Sequence, residues 1–432
     1  MSFYVGFNQS LGLNMKTFQL GLLLGCLLLA STAQSQTDAL TLDNAISTAL
    51  AHNPELLAAQ KRVDVAKGGA VQARLWNNPE LELSAEDMPR DNMSLSHSKN
   101  LVGVSQTVPF PGKKSLDVRS AKQEARATES QFRASELELI RDVKTAFFRV
   151  LASERRLEIS QQLVALADSL AKAARKRVEA GATAAQEQLR AEIELERAKT
   201  ELSALFREKS EARQALATLM GRPEQRGASL AGTLNESPVF SALDHAREQL
   251  LHANPRLAVA IAERDRAELD LRRARVDPFP DVKLGVAVGR DESFNEDLIE
   301  FRVSLPLPLF DNGQGRRREA LARAEIARAE LTATEQRLLK EFVSAEARLR
   351  AAAEQATAYR DRILPKAEEA LGMVQRGFEA GKFGFIDLLD TQRTAAEARL
   401  AYLEKLLELN SAEAELEAWS AGALEKTKGT KK

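Results

Sequence analysis

The chain has 432 residues, a formal net charge of −1, 28% charged residues and only 5% aromatic ones. A charge balance this close to zero excludes a nucleic-acid binder that works through a basic surface, and a single cysteine, Cys26, excludes a disulfide-stapled fold. Abundant Ala, Glu, Leu, Arg and Lys point to long helices, and no segment beyond the N-terminus reads as a membrane-spanning helix.

The N-terminus reads as a targeting segment. Met15-Lys16 supplies a positive region, Leu20 to Ala30 an apolar stretch, and Ser31-Thr32-Ala33 a small-x-small cleavage signal, which predicts a signal peptide over 1–33. Residues ahead of Met15 are open to two readings, an upstream mis-start or a real extension, and the first is favoured. Leu23-Leu24-Gly25-Cys26 is like a lipoprotein signal, but the apolar run continues through Leu29, so lipidation of Cys26 is the lesser alternative. Cleavage after Ala33 leaves no cysteine.

The remainder of the chain is internally duplicated. Asn53-Pro54-Glu55-Leu56 returns about 200 residues later as Asn254-Pro255-Arg256-Leu257, Ala73-Arg74 as Ala274-Arg275, and Pro79-Glu80-Leu81 as Pro280-Asp281-Val282. After one small slip Val108-Pro109 aligns with Leu307-Pro308, and later Glu179-Ala180-Gly181 with Glu379-Ala380-Gly381. This predicts two copies of one unit, 34–230 and 231–420, and a polar tail over 421–432.

Each copy begins with a helix, followed by two short strands. Leu81, Leu83 and Ala85 alternate with Glu80, Glu82, Ser84 and Glu86; Val102, Val104 and Val108 alternate less cleanly with Gly103, Ser105 and Thr107. In the second copy Val282, Leu284, Val286 and Val288 alternate with Lys283 and Gly285, and Ile299, Phe301, Val303 and Leu305 with Glu300, Arg302 and Ser304. A lone strand of this kind fits a half-buried sheet on a soluble core. Four of them behind a signal peptide, with no helix-rich segment left to cover them, fit lipid-facing barrel strands. Glu80, Glu82, Glu86, Lys283, Glu300 and Arg302 then face the lumen. Four strands cannot close a barrel, and open edges in lipid leave backbone groups unpaired. The chain must therefore oligomerise, and three copies give twelve strands.

After the strands, neither Pro nor Gly occurs from Lys113 to Ala180, a run that as a helix spans about 100 Å. Gly181 comes next, then another uninterrupted leg to Gly221. The second copy repeats this from Gln314 to Ala380, Gly381, and a leg ending near Trp419, with a local kink predicted at Pro365. Gly181 and Gly381 are predicted to end helices and turn the chain into hairpins.

The paired Asn-Pro-x-Leu motifs, Pro-Phe-Pro-Gly-Lys at 109–113, Leu-Pro-Leu-Phe-Asp-Asn-Gly at 307–313, and the stretch from Glu379-Ala380-Gly381 to Ile386-Asp387-Leu388-Leu389-Asp390 together resemble the TolC family of outer-membrane efflux ducts, over Leu42 to about Trp419. The resemblance implies a mostly α fold with a small β part, in which three internally duplicated chains build an α-helical tunnel joined to a 12-stranded transmembrane β-barrel. It implies an outer-membrane location with a long periplasmic extension, a homotrimer in outer-membrane lipid, a periplasmic adaptor, and an inner-membrane pump of the resistance-nodulation-division type. Asn53-Pro54-Glu55-Leu56 and the stretch Asn77 to Leu83, with Glu86-Asp87 after it, are similar to the heavy-metal cation branch, the ducts of cobalt–zinc–cadmium and copper–silver pumps. The hairpin turns, with Gly181, Gly381, Lys382 and Phe383, are then the adaptor contacts at the inner, gated end.

A passive duct requires no catalytic residue and no cofactor. His52, His97, His245 and His252 are too scattered for a metal site; Met88, Met93 and His97 share a polar loop that reads as solvated, with a soft-metal contact as the alternative. Asp387 and Asp390, three apart on one helix face, and Glu187, six residues after Gly181, match the narrow periplasmic entrance of the family. Two readings stay open for them: rings of like charge that attract cations, or acids that satisfy a helix dipole. At Phe383 some family members carry a basic residue, so an Asp–Arg latch does not transfer. The function implied is an export duct for heavy-metal cations. The alternatives are a duct for drugs and small organic molecules or for type I secretion, and, in another class, the periplasmic adaptor itself.

Overall fold

The computed structural model describes residues 39–87, 95, 98–237 and 253–419. The predicted signal peptide with Cys26, the Met88, Met93 and His97 loop, His245, His252 and the 421–432 tail lie outside these residues.

Helix α1 runs over Leu42–His52 and α2 over Pro54–Arg74. Between them Asn53 does two jobs. Its Oδ1 accepts from the Glu55 and Leu56 amides at 2.9 and 3.0 Å, and its Nδ2 donates to the Leu219 carbonyl at 2.9 Å. Pro54 occupies the first turn, where its missing N–H costs nothing. Asn254 repeats the arrangement, capping the Arg256 amide at 2.9 Å and donating to the Trp419 carbonyl at 3.2 Å. The duplicated Asn-Pro motif is thus a joint between the first helix of each half and the end of the last.

Strands β1 (Glu80–Glu86) and β2 (Lys99–Val108) lead into α3, an unbroken 67-residue helix over Lys113–Glu179, and α4 returns over Ala185–Leu219. The second half runs α5 (Pro255–Val276), β3 (Val282–Asp291), β4 (Glu296–Ser304), α6 (Gln314–Ala358), α7 (Leu364–Glu379) and α8 (Phe385–Trp419). The expected kink at Pro365 takes the form of a single π turn, Tyr359–Ile363, just upstream. A wider turn absorbs the proline ring and the hydrogen bond it cannot make.

Alanine-rich faces let the helices pack closely. Val143, Phe147 and Val150 of α3 bury against Ala45, Ala49, Leu216 and Met220, while Phe342 and Leu349 of α6 bury against Leu409 and Leu416 of α8. Among the described residues no helix is long and apolar enough to cross a membrane.

The strands form one antiparallel sheet in the order β1-β2-β3-β4, with β1 and β4 as open edges. Its register corrects the sequence alignment. Glu80 pairs with Ser105 and Lys283 with Ser304; moving both strands of the first hairpin forward by 201 residues reproduces the register of the second. Gly112 and Gly313, the positive-φ residues that start α3 and α6, stand the same distance apart. The slip is therefore absent, and Val108 corresponds to Leu309. Matching prolines misled the sequence comparison because the two strand-to-helix links carry their prolines at different places.

Candidate channel wall and periplasmic mouth

On one face of the sheet Leu81, Leu83, Val286, Ile299, Phe301 and Val303 are all exposed. The opposite face carries the charges, and there the six predicted lumen residues meet. Lys283 Nζ lies 2.8 Å from both Glu80 and Glu82, and Arg302 lies 2.9 Å from Glu82, 3.3 Å from Glu300 and 3.9 Å from Glu86. These pairs cross the whole sheet because the inner positions of the middle strands are small: Gly103, Ser105, Gly285 and Ala287. A Cβ on Gly103 would sit 2.8 Å from that of Ala287, so only glycine fits there. Two partners had no counterpart among the residues expected from sequence. Lys99 lies 3.5 Å from Glu300, and Ser105 Oγ donates to Glu82 at 2.7 Å; the lysine sits at a strand end, and alternation placed Ser105 on this face without showing that it would meet a carboxylate. Four carboxylates thus pair with three cations on this wall, and the register puts Asp291 and Glu296 on the same face beside the β3–β4 turn, so the face is acidic on balance.

Where sheet meets helices, the Pro-Phe-Pro-Gly-Lys stretch locks onto the start of β3. Phe110 stacks on Phe279 with centroids 4.7 Å apart, and its amide donates to Asp281 at 2.8 Å. Lys113, 5% exposed, reaches the same carboxylate oxygen at 2.9 Å. Burial pushes the Asp281 carboxyl up, but the Phe110 N–H and the Lys113 ammonium outweigh it and hold the group below the usual carboxylate range. Asp277 follows the same pattern: burial opposes ionisation, and Arg273 and Arg316 win. The motif was visible in the sequence; its partner Asp281, 168 residues away, was not.

At the far end both hairpin turns close identically. The Ala182 and Gly181 amides donate to the Arg177 and Val178 carbonyls at 2.8 and 2.9 Å; Lys382 and Gly381 do the same to Gly377 and Phe378 at 2.7 and 3.0 Å. Gly181 and Gly381 have φ of 70° and 71°, the left-handed cap expected of them, and nothing lies within 4 Å of where a Cβ would be. The turns differ in what they present. Lys382 and Phe383 are exposed, with the Phe383 ring lying over Gly377, whereas the first turn offers Ala182 and Thr183. Leu170, Ala174 and Ala191 bury against Phe385 and Leu388, and Arg177 lies 5.9 Å over the Phe378 ring, so the hairpins form one body. Beside it the Arg175 guanidinium, 2.8 Å from Glu192, holds that carboxyl below its usual range.

Asp387 and Asp390 are exposed on α8, turned away from buried Leu388. Asp387 Oδ2 accepts from the Gly384 amide at 2.9 Å, the acidic half of a capping box. Asp390 lies one turn further on, and its carbonyl accepts from the Thr394 hydroxyl at 3.0 Å. Glu187 is half-buried in the first turn of α4, on the other hairpin.

An open four-stranded sheet, lipid-apolar on one face and charged on the other, set on two helical hairpins of this length defines an outer-membrane channel subunit of the efflux type. The chain belongs to the outer membrane efflux protein family, whose sequence profile it matches over residues 45–222 and 246–422. It is 30% identical to the cobalt-zinc-cadmium resistance protein CzcC of Cupriavidus metallidurans, over 84% of this chain and 86% of that one. It is 26% identical to the pyoverdine export outer membrane protein OpmQ of Pseudomonas aeruginosa, over 84% and 82%. The fold superposes on CusC, a transmembrane channel, with a TM-score of 0.76 at 20% identity, over 88% of this chain and 91% of that one.

Proposed function

We propose that this outer-membrane efflux component works as a homotrimer: twelve strands close the barrel in outer-membrane lipid, and the helices continue it as a periplasmic tunnel. The observation that carries this reading is the sheet, whose edges β1 and β4 are open while one face is apolar and exposed. Open edges are untenable in lipid. The segment 1–33 serves as a cleaved signal peptide, and 34–230 and 231–420 act as two equivalent wall segments of the duct. An adaptor engages the turns at Gly181, Gly381, Lys382 and Phe383 and couples the duct to an inner-membrane pump of the resistance-nodulation-division type.

The cargo is heavy-metal cations. Greater identity to CzcC than to the pyoverdine exporter supports this, as does the acidic mouth, where Asp387, Asp390 and Glu187 would bring three carboxylates per chain together in a trimer. A deletion strain should lose resistance to cobalt, zinc or cadmium and keep its resistance to organic drugs; the reverse pattern would assign the duct to organic cargo. Detergent-extracted protein should run as a trimer, and a stable soluble periplasmic monomer would end the channel reading.

A further inference from the structure

Four helix ends meet the sheet at one level: α2 stops at Arg74 and α5 at Val276, while α3 starts at Lys113 and α6 at Gln314. The charge there is one-sided. Asp117, Asp277, Asp281, Asp311 and Glu319 each pair with an arginine or lysine. Arg74, Lys114, Arg272, Arg275, Arg317 and Arg318 have no carboxylate partner among the described residues, and all but Lys114 are exposed. We propose that these cations bind the phosphates of anionic phospholipid headgroups, phosphatidylglycerol or cardiolipin, in the periplasmic leaflet of the outer membrane. The proposal rests on the sheet's being the membrane-inserted part of the chain.

Depth supports this first. Strands β2 and β3, ten residues each, run about 30 Å, the thickness of a bilayer's hydrocarbon core. The helix ends therefore lie at headgroup level, where exposed Trp76, Phe279 and Phe310 also stand, as interfacial aromatics do. Facing supports it next. Arg273 reaches Asp117 and Asp277 on the side of α5 next to Asp281, which precedes Lys283 by two residues and so shares the charged face of the sheet. Arg275 stands about 200° further round the helix, with Arg272 three residues before it on the same side. Both thus sit beneath the apolar face, the one that meets lipid, and Arg74 is the first-repeat counterpart of Arg275. The helix dipoles agree. Helix α6 opens Gln314-Gly315-Arg316-Arg317-Arg318 and α3 opens Lys113-Lys114, with no acid in either first turn, so cations stand at the positive end of each dipole. A phosphate against them turns that repulsion into attraction. The opposite end of the sheet carries the other sign: around the β3–β4 turn, Asp291, Glu292, Glu296 and Asp297 outnumber the single cation Arg290.

The test is lipid selectivity of the full-length protein in bilayers, read as Trp76 quenching by brominated phosphatidylglycerol or brominated phosphatidylcholine of the same acyl chains. Phosphatidylglycerol should be preferred. Arg74→Gln with Arg272→Gln and Arg275→Gln should lower the preference, on the order of five-fold for each cation at low salt and less at high salt. The three corresponding Lys variants keep the charge and should keep the preference; if they lose it, charge is not what binds. Lys176→Gln with Lys366→Gln, far from the sheet on the helical hairpins, should leave it unchanged. Equal quenching by both lipids in the parent, or a preference untouched by the three Gln substitutions, overturns the proposal. So does an equal loss in the hairpin control, which would make the effect one of bulk charge. A preference lost together with the parent's oligomeric state, followed by light scattering, would assign the arginines to subunit contact instead. Trp76 quenched by neither lipid is a different failure, because it would refute the membrane placement of the sheet itself.

Discussion

The two sheet-to-helix junctions share a plan and differ in surroundings. At the first, Phe110 stacks on Phe279 and Lys113 is buried against Asp281. At the second, Gln314 stands in the place of Lys113, Phe310 is 92% exposed, and Glu80, the counterpart of Asp281, pairs with half-buried Lys283. The same backbone turn can thus be closed over by buried side chains or left largely exposed, with Arg316 tying it to Asp277, depending on which flank has a neighbour within the chain.

The largest expected effect comes from removing Asp281. Asp281→Ala strands the buried Lys113 ammonium and should cost about 3 kcal/mol, whereas Glu80→Ala removes a solvated pair and should cost about 0–1 kcal/mol. Thermal unfolding of the two detergent-solubilised variants measures the difference, and equal losses would mean that the junctions are energetically alike.

The two junctions should also separate on acidification. Asp281, at the first junction, has a folded pKa below the ordinary one. Its stabilisation is therefore complete above the unfolded carboxylate pKa and is lost as pH falls through the folded value. Unfolding midpoints measured from pH 7 down to pH 3 (on the order of the carboxylate range) should fall less steeply for Asp281→Asn than for the parent. An unchanged slope would show that the pair carries no linked proton.

The two hairpin turns offer a sharper comparison, because backbone geometry matches while side chains differ. Gly181→Ala and Gly381→Ala should each cost about 1 kcal/mol, through backbone strain alone. Replacing both glycines with bulky β-branched residues should abolish export with membrane insertion intact; retained metal resistance would remove the turns from the adaptor contact. Within the second turn, Asp387→Asn with Asp390→Asn keeps an acceptor for the Gly384 amide but removes the charge. Single-trimer conductance should become less cation-selective and less sensitive to multivalent-cation block, and an unchanged reversal potential would leave Asp387 as a helix cap and nothing more.

The smallest expected effect is spectroscopic. Trp76 is exposed just before β1, and Trp419 lies 4.5 Å under the Arg256 guanidinium at the other end of the helical stretch that begins at Asn254 and Asn53. Brominated lipid should quench the Trp76 emission and spare that of Trp419. Equal quenching would misplace the membrane boundary.

Much of this was legible in the chain itself. Period-two alternation marked all four strands, and uninterrupted proline-free runs marked the long helices, because those signals are local. The glycine turns were equally plain, since a left-handed cap leaves few residue choices. Less legible was anything set by residues far apart. The duplicated Asn-Pro motif was visible without its purpose, which depends on the Leu219 and Trp419 carbonyls arriving from the ends of the return helices. Asp387 looked like a gate residue or a helix cap, and only the Gly384 amide at 2.9 Å showed that it caps.

Local periodicity, duplication and turn chemistry by themselves determined the elements, their order and the need for partners: a strand face is set every second residue and a helix end by a single glycine. Register and pairing were decided by the tertiary structure. Whether Val108 answers Leu307 or Leu309 depends on hydrogen bonds between strands, and whether Lys113 is buried depends on Asp281 meeting it across 168 residues of chain. Such contacts are non-local, and similar residue patterns satisfy a neighbouring register almost as well until the backbones are laid side by side.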